Sequence, residues 1–243
     1  FENIFPCIYT VGHLVGTELR DTGGVFHEVD RGFEFYAPQT FARRPLEPGP
    51  ALLTAWAGNA SEDDQPSIET GRWVHALSLP RALSVRNGRL VQRPATDLPY
   101  DVGQPALVGT VLEPGLHQVT ELEGHRSWQL RVDADKTRCS GAWGLRIGTD
   151  ESHVDIVLDG GVLRVDRSTS RYTQHGETRT VTLPKGCTSS LEVIHDRSLT
   201  EILVGGGALT FTLRSFVAPD SSGAVLVANG PVRLGPVAAV HFD

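Results

Sequence analysis

From His117 to the end the chain repeats one pattern: a short run of β-branched and apolar residues, then a turn. The runs are His117–Leu122, Trp128–Val132, Trp143–Ile147, Val154–Leu158, Val162–Val165, Thr178–Leu183, Leu191–Ile194, Glu201–Val204, Leu209–Leu213, Ala224–Val227 and Val237–Phe242. So many short strands with almost no helical period predict two antiparallel sheets packed face to face. Leu209, Phe211 and Leu213 alternate with Thr210, Thr212 and Arg214, which predicts one face toward a core and one toward water. Gly205-Gly206-Gly207 precedes no helix-forming run, so it reads as a hairpin turn between Val204 and Leu209 rather than a phosphate cradle.

The first ninety residues are also β in character. Cys7–Val11, Val25–Val29, Ala51–Trp56, Trp73–Leu79 and Gly88–Gln92 are strand-like. Asp21–Gly24 is a turn signal and Asn87-Gly88 a strong hairpin signal. Pro45–Pro50 reads as a rigid loop and Ser61–Pro66 as an acidic surface loop. Pro94, Pro99, Pro105 and Pro114 stiffen the stretch between Arg93 and Gly115 into a connection between domains. The expected organisation is a first domain over 1–94, a linker over 95–113 and a β-sandwich over 114–243.

The densest aromatic stretch lies in the first domain, at Asp30–Phe41, D-R-G-F-E-F-Y-A-P-Q-T-F. Phe33, Phe35 and Tyr36 fall within four positions, and Pro38 cannot sit inside a regularly paired strand, so the segment must end or bulge there. An exposed aromatic rim is the expectation. Trp56 follows on its own strand among Ala55, Ala57 and Gly58, small neighbours that leave one side of its ring open. Two aromatic faces beside a backbone kept narrow suit a flat, hydroxyl-covered ligand such as a sugar ring. From the residues alone, burial of Phe35, Tyr36 and Trp56 as ordinary core aromatics is the favoured reading, since aromatics are mostly buried.

Charge and motif spacing remove several classes. With 22 Lys+Arg against 29 Asp+Glu the formal charge is −7, and no run of the sequence gathers basic residues, so nucleic acid and anionic membranes are not expected partners. No apolar run approaches the roughly 20 residues of a membrane-spanning helix, and Phe1-Glu-Asn-Ile-Phe5 lacks the basic start and apolar centre of a signal peptide. A soluble chain is expected, with a cytoplasmic setting favoured. Cys7, Cys139 and Cys187 are odd in number and far apart, hence expected as free thiols. With no methionine anywhere, the chain is expected to begin inside a longer reading frame or to have been processed. The histidines never fall at metal-ligand spacing, and Asp150-Glu151 with Asp155 reads as an acidic turn rather than a calcium site. No metal site is therefore expected.

Three ordered segments carry a resemblance. They are Phe35-Tyr-Ala-Pro-Gln-Thr-Phe41, Trp56-Ala-Gly-Asn59, and Trp73–Arg81 followed by Gly88–Pro94; in that order they resemble the late propeller region of family 32 glycoside hydrolases, the invertases, levanases and related β-fructosidases. Val165–Ser168 and Leu191–Ser198 with Glu201 resemble signatures of that family's C-terminal β-sandwich. The resemblance implies an all-β fold: the last blades of a five-bladed β-propeller followed by an antiparallel β-sandwich. It also implies retaining hydrolysis of terminal β-fructofuranosides such as sucrose or fructans, without metal or cofactor, with Tyr36 and Trp56 at the subsite holding the fructosyl ring.

The family's acids sit in W-x-N-D-P-N-G, R-D-P and E-C-P motifs, none of which occurs in these 243 residues. No residue here is thus expected to be catalytic, and the missing blades would come from an upstream segment or a second chain. Asp30 and Glu34 match no catalytic position of the family and are expected in supporting roles. His195 beside Asp196, Ser198 and Glu201 are expected to work within the sandwich. A non-catalytic fructan-binding module and a purely structural remnant remain the alternatives.

Overall fold

The computed structural model describes residues 3–41, 49–60, 65–96, 110–134, 140–185, 187 and 190–242. Most of the expected Pro45–Pro50 and Ser61–Pro66 loops, Pro99, Pro105 and Cys139 lie outside the described residues.

The first part begins with β1 (Ile8–Tyr9), β2 (His13–Val15), β3 (Glu18–Arg20) and β4 (His27–Glu28); β1 pairs with β4 and β2 with β3. Then come β5 (Tyr36–Thr40), β6 (Ala51–Ala57), helix α1 (Pro66–Gly71), β7 (Ala76–Leu77), β8 (Arg81–Arg86) and β9 (Arg89–Pro94). Strands β5-β6-β8-β9 form an antiparallel sheet in that order, with β7 added beside β6. Asn87 and Gly88 turn β8 into β9 with φ of 52° and 70°, as a two-residue hairpin turn with both central residues left-handed requires. Helix α1 was not expected, although its signals are present: Pro66 opens the first turn and Arg72 closes it in the left-handed conformation.

The second part contributes β10 (Val111–Leu112), β11 (Gly115–Gln118), a 3-10 turn at Thr120–Leu122, β12 (Ser127–Ala134), β13 (Trp143–Gly148), β14 (His153–Asp159), β15 (Val162–Asp166) and β16 (Thr178–Thr182). It continues with β17 (Leu191–Asp196), β18 (Leu199–Val204), β19 (Leu209–Arg214), β20 (Val225–Ala228) and β21 (Val232–His241). Two six-stranded sheets result, β10-β21-β12-β17-β18-β19 and β11-β20-β13-β14-β15-β16. Between them lies one core including Trp128, Leu130, Trp143, Leu145, Ile156, Leu163, Ile202, Phe211 and Leu226. This is the sandwich the alternation predicts, and the glycine turn closes β18 onto β19 through the Gly207 N–H to the Val204 carbonyl at 3.2 Å.

One face differs from expectation. Thr210, Thr212 and Arg214 of β19 do not meet water; all three are buried, because the Asp30–Glu34 segment of the first part lies along β19. The N–H of Arg31 bonds to the Thr210 carbonyl at 2.8 Å, and those of Phe33 and Glu34 bond to the Thr212 carbonyl at 2.9 and 3.3 Å. Gly32 makes this approach possible, since a Cβ there would lie 2.0 Å from the Thr212 carbonyl oxygen and 2.3 Å from its nitrogen.

Buried charges lock the contact. The Arg81 guanidinium donates to Asp30 at 2.8 Å, to Glu201 at 2.7 and 3.0 Å, and to the Thr212 hydroxyl at 2.6 Å. Asp30 also accepts from the N–H groups of Gly32 and Thr212, both at 2.8 Å. A second pair, Glu34 with Arg167 at 2.7 Å, is buried on both sides, and Glu34 also accepts the Arg214 N–H at 2.7 Å. Glu201 thus belongs to a sandwich strand but works outward, against the first part. Burial pushes its carboxyl up, opposed by Arg81 and the Leu79 N–H.

His195 is satisfied inside the sandwich: Nδ1 lies 2.9 Å from the Thr200 hydroxyl and the ring packs on Trp128. Its partner is Thr200, whereas Asp196 accepts from Ser127 at 2.8 Å. Burial, with Arg126 adding to it and Asp196 opposing, lowers its pKa to about 4. A depressed base is neutral in the native state and charged sooner when unfolded, so stability falls as pH drops from about 6.5 toward 4. The expected loss from this group between pH 7 and pH 5 is about 2 kcal/mol. Urea unfolding of a His195→Gln chain checks this: its stability should decline less over that interval than the parent's.

Candidate functional site

The aromatic stretch is sorted by the fold instead of forming one rim. Phe33 is buried among the sandwich residues, with the Arg167 and Arg179 guanidinium carbons 4.0 and 4.2 Å from its ring centroid. Phe35 is buried in the small core of the first part beside Leu53 and Ala55, with Arg81 over its ring at 4.9 Å. The expected exposed rim is therefore corrected for these two residues. Both residues precede β5 and turn inward, Phe33 to the sandwich core and Phe35 to the small core of the first part, beside the buried ion pairs.

Tyr36 is left half-buried at the start of β5 and pairs directly across the sheet with Trp56 of β6. Their ring centroids are 5.9 Å apart at 47°. The register slips by one residue between Tyr36 and Gln39, so Ala37 and Pro38 occupy a bulge where the missing proline N–H costs no ladder bond. Ala37 takes the strain, with φ of 45°. Cross-strand partners share a face, so the bulge and register hold both rings on one side of the sheet.

Two further rings extend the wall, neither singled out from the sequence. Phe5 packs on Tyr36 at 5.1 Å, and His75 stands edge-on to Trp56 at 4.5 Å and 84°. Gly58 allows this placement, because a Cβ there would meet His75 Nδ1 at 2.2 Å. Phe5 and His75 lie 31 and 19 residues from their ring partners, and no local spacing signals either contact. The result is four rings in sequence, Phe5, Tyr36, Trp56 and His75, with Tyr36 and Trp56 reachable from solvent. Such a surface offers apolar faces to a sugar ring and a phenol hydroxyl to its polar groups.

Among the described residues no group of three or more His, Cys, Asp or Glu is arranged to hold a metal ion. Asp150 and Asp155 instead flank Arg146, at 3.2 and 2.8 Å. Cys7 is a free thiol.

A blade-like sheet joined to a β-sandwich by buried ion pairs defines an all-β architecture, the end of a β-propeller carrying a sandwich. Comparison with known proteins supports this. The structure matches that of an exo-inulinase from Aspergillus awamori with a TM-score of 0.76 at 19% identity, over 95% of this chain and 48% of that one. It matches a sucrose-6-phosphate hydrolase from Lactobacillus gasseri with a TM-score of 0.71 at 22% identity, over 97% and 48%. In sequence, the chain is 33% identical over 200 residues to a probable sucrose-6-phosphate hydrolase of Vibrio cholerae serotype O1, covering 80% of this chain and 33% of the relative. Residues 1–94 match the family description "Glycosyl hydrolases family 32 N-terminal domain" and residues 108–241 "Glycosyl hydrolases family 32 C terminal". The chain belongs to glycosyl hydrolase family 32. It spans about half the length, or less, of the curated relatives it matches.

Proposed function

We propose that this chain is the sugar-holding end of a β-fructosidase, in which Tyr36 and Trp56 form the wall against which a terminal fructofuranosyl ring lies. The observation that carries this reading is the cross-strand Tyr36–Trp56 pair, half-open to solvent, in a chain of family 32. The reaction is hydrolysis of a terminal β-fructofuranoside, with sucrose, its phosphate ester named in the relatives, and fructans as the substrate class. Retention in such chemistry uses two carboxyl groups about 5 Å apart, one as nucleophile and one as proton donor. The acids would come from propeller blades outside these 243 residues, supplied by an upstream segment or a second chain. Residues 1–94 would complete the propeller, with 95–113 as linker and 114–243 as the supporting sandwich.

The surface of the first part fits this arrangement. Leu14, Val15, Leu19, Val25 and Phe26 are all exposed, Leu14 at 73% and Phe26 at 56%, along β2, β3 and the approach to β4. A neighbouring blade would cover them.

The test is fructose release from sucrose by the protein with its propeller complete, comparing Trp56→Ala with the parent. Loss of the ring removes an apolar face worth about 3 kcal/mol, so kcat/KM, measured well below the variant's melting temperature, should fall roughly a hundredfold. An unaltered kcat/KM overturns the reading.

A further inference from the structure

A concave site lies at the other end of the blade. Trp56 is near the β7 end of β6, whereas Ala51, at the opposite end, pairs with Leu83, and β8 runs on to Arg86. Eight residues of strand separate the two places, roughly 25 Å at the usual rise. There the β8–β9 hairpin faces Pro184, Lys185 and Cys187 and the glycine turn at Gly205 and Gly206 across a cleft of about 510 Å³.

The cleft is basic in an acidic protein. Arg86 and Arg89 come from the hairpin and Lys185 from the sandwich, and none of the described residues lining the cleft is an acid. Arg93, two steps beyond Val91 on the same strand face, reaches the cleft's Gly206, whose added Cβ would lie 3.3 Å from its Nη2. None of these four cations has a carboxylate partner among the described residues, although the chain carries a formal charge of −7. Arg86 and Arg89 are moreover direct cross-strand partners. Like charges set opposite each other weaken a hairpin, so folding alone gains nothing from the pair. The adjoining corner feels the same field: the His27 imidazole sits below its ordinary pKa through burial first and then through Arg89 and Arg31.

We propose that this cleft binds a small organic phosphate, with Arg86, Arg89 and Lys185 on the phosphoryl group and Val91, Pro184 and Ala208 against its carbon skeleton. Guanidinium forks match phosphate oxygens two at a time, and the volume accepts a molecule the size of a hexose phosphate. The phosphoryl group is the recognised chemistry, whether it arrives free or on a sugar. Because one wall is the blade and the other the sandwich, the ligand would tie the two parts together. They already touch at this point, through the Gln92 N–H to the Gly207 carbonyl at 2.9 Å.

The experiment is calorimetric titration of the purified protein with glucose 6-phosphate, inorganic phosphate and glucose, each repeated as a thermal melt, with sodium chloride at equal ionic strength as control. Saturable heat and a raised melting temperature are expected with glucose 6-phosphate, weaker binding with inorganic phosphate, and neither with glucose or sodium chloride. Equal affinity for both phosphates would assign the site to free phosphate and overturn the contacts proposed for the carbon skeleton. Arg86→Gln with Lys185→Gln should weaken glucose 6-phosphate binding at least roughly tenfold while leaving the unliganded melt unchanged or higher. Trp56→Ala, which disables the aromatic wall, should leave the affinity as it was. Absence of phosphate binding, full affinity in the double variant, or loss of affinity on Trp56→Ala would each overturn the proposal.

Discussion

Replacing Arg81 by methionine is expected to cost about 3–5 kcal/mol of stability at pH 7, the range for removing one member of a buried ion network. The methylene stem is kept and the guanidinium lost, so Asp30 and Glu201 remain buried with their common cation gone. Asp30 retains the N–H groups of Gly32 and Thr212, and Glu201 retains that of Leu79, but neither keeps a counter-charge in the network. The pH dependence gives the mechanism a second signature. Burial already holds Glu201 above the ordinary carboxylate range and Arg81 is the main opposing influence, so its removal raises that carboxyl further. A native state that takes up protons more readily than the unfolded chain gains stability as pH falls. The deficit measured by urea unfolding should therefore shrink from pH 7 to pH 5. A deficit below about 1 kcal/mol, or one that grows on acidification, would show that the network is not what holds Asp30 and Glu201.

Gly32→Ala should be nearly as damaging for a different reason. The added methyl would meet backbone rather than a side chain, 2.0 Å from the Thr212 carbonyl oxygen, and β19 is held in place by its ladder with β18. The 31–34 segment must lift off β19, breaking the three main-chain bonds to Thr210 and Thr212, at a cost of about 3 kcal/mol. Tyr36 begins two residues after Glu34, so the lift is transmitted to the aromatic wall. Hydrogen exchange separates this from general destabilisation: the amides of Arg31, Phe33 and Glu34 should lose protection while those of β13 and β14 in the far sheet keep theirs. Retained protection at Arg31 and Phe33 would contradict the prediction.

The sandwich was legible because its strands alternate apolar with polar residues, as in Leu209, Phe211 and Leu213, and because Gly or Asn-Gly pairs mark its turns. The same alternation misassigned the polar face of β19. Thr210, Thr212 and Arg214 look solvated one at a time, and their burial depends on Asp30, Glu34 and Arg81, which lie more than a hundred residues away in sequence. Glu201 was misplaced for the same reason.

At the site, Tyr36 and Trp56 stood out as aromatics beside Pro38 and a run of small residues, and the bulge required by Pro38 lies where the proline predicts it. Phe33 and Phe35 were indistinguishable from Tyr36 by composition; only the fold, which buries the first two and leaves Tyr36 partly open, separates them. His75 had no signal, since its contact with Trp56 depends on the space at Gly58. The basic cleft was invisible for a related reason: positions 86, 89, 93 and 185 form no run, and the fold alone gathers them.

The most direct measurement is a calorimetric titration of fructose into the protein with its propeller complete, set beside the same titration with Trp56→Ala. Binding that weakens at least roughly tenfold in the variant, measured well below its melting temperature, is the predicted result. Equal affinity in both proteins would contradict the assignment of the Tyr36–Trp56 face as the wall of the sugar site.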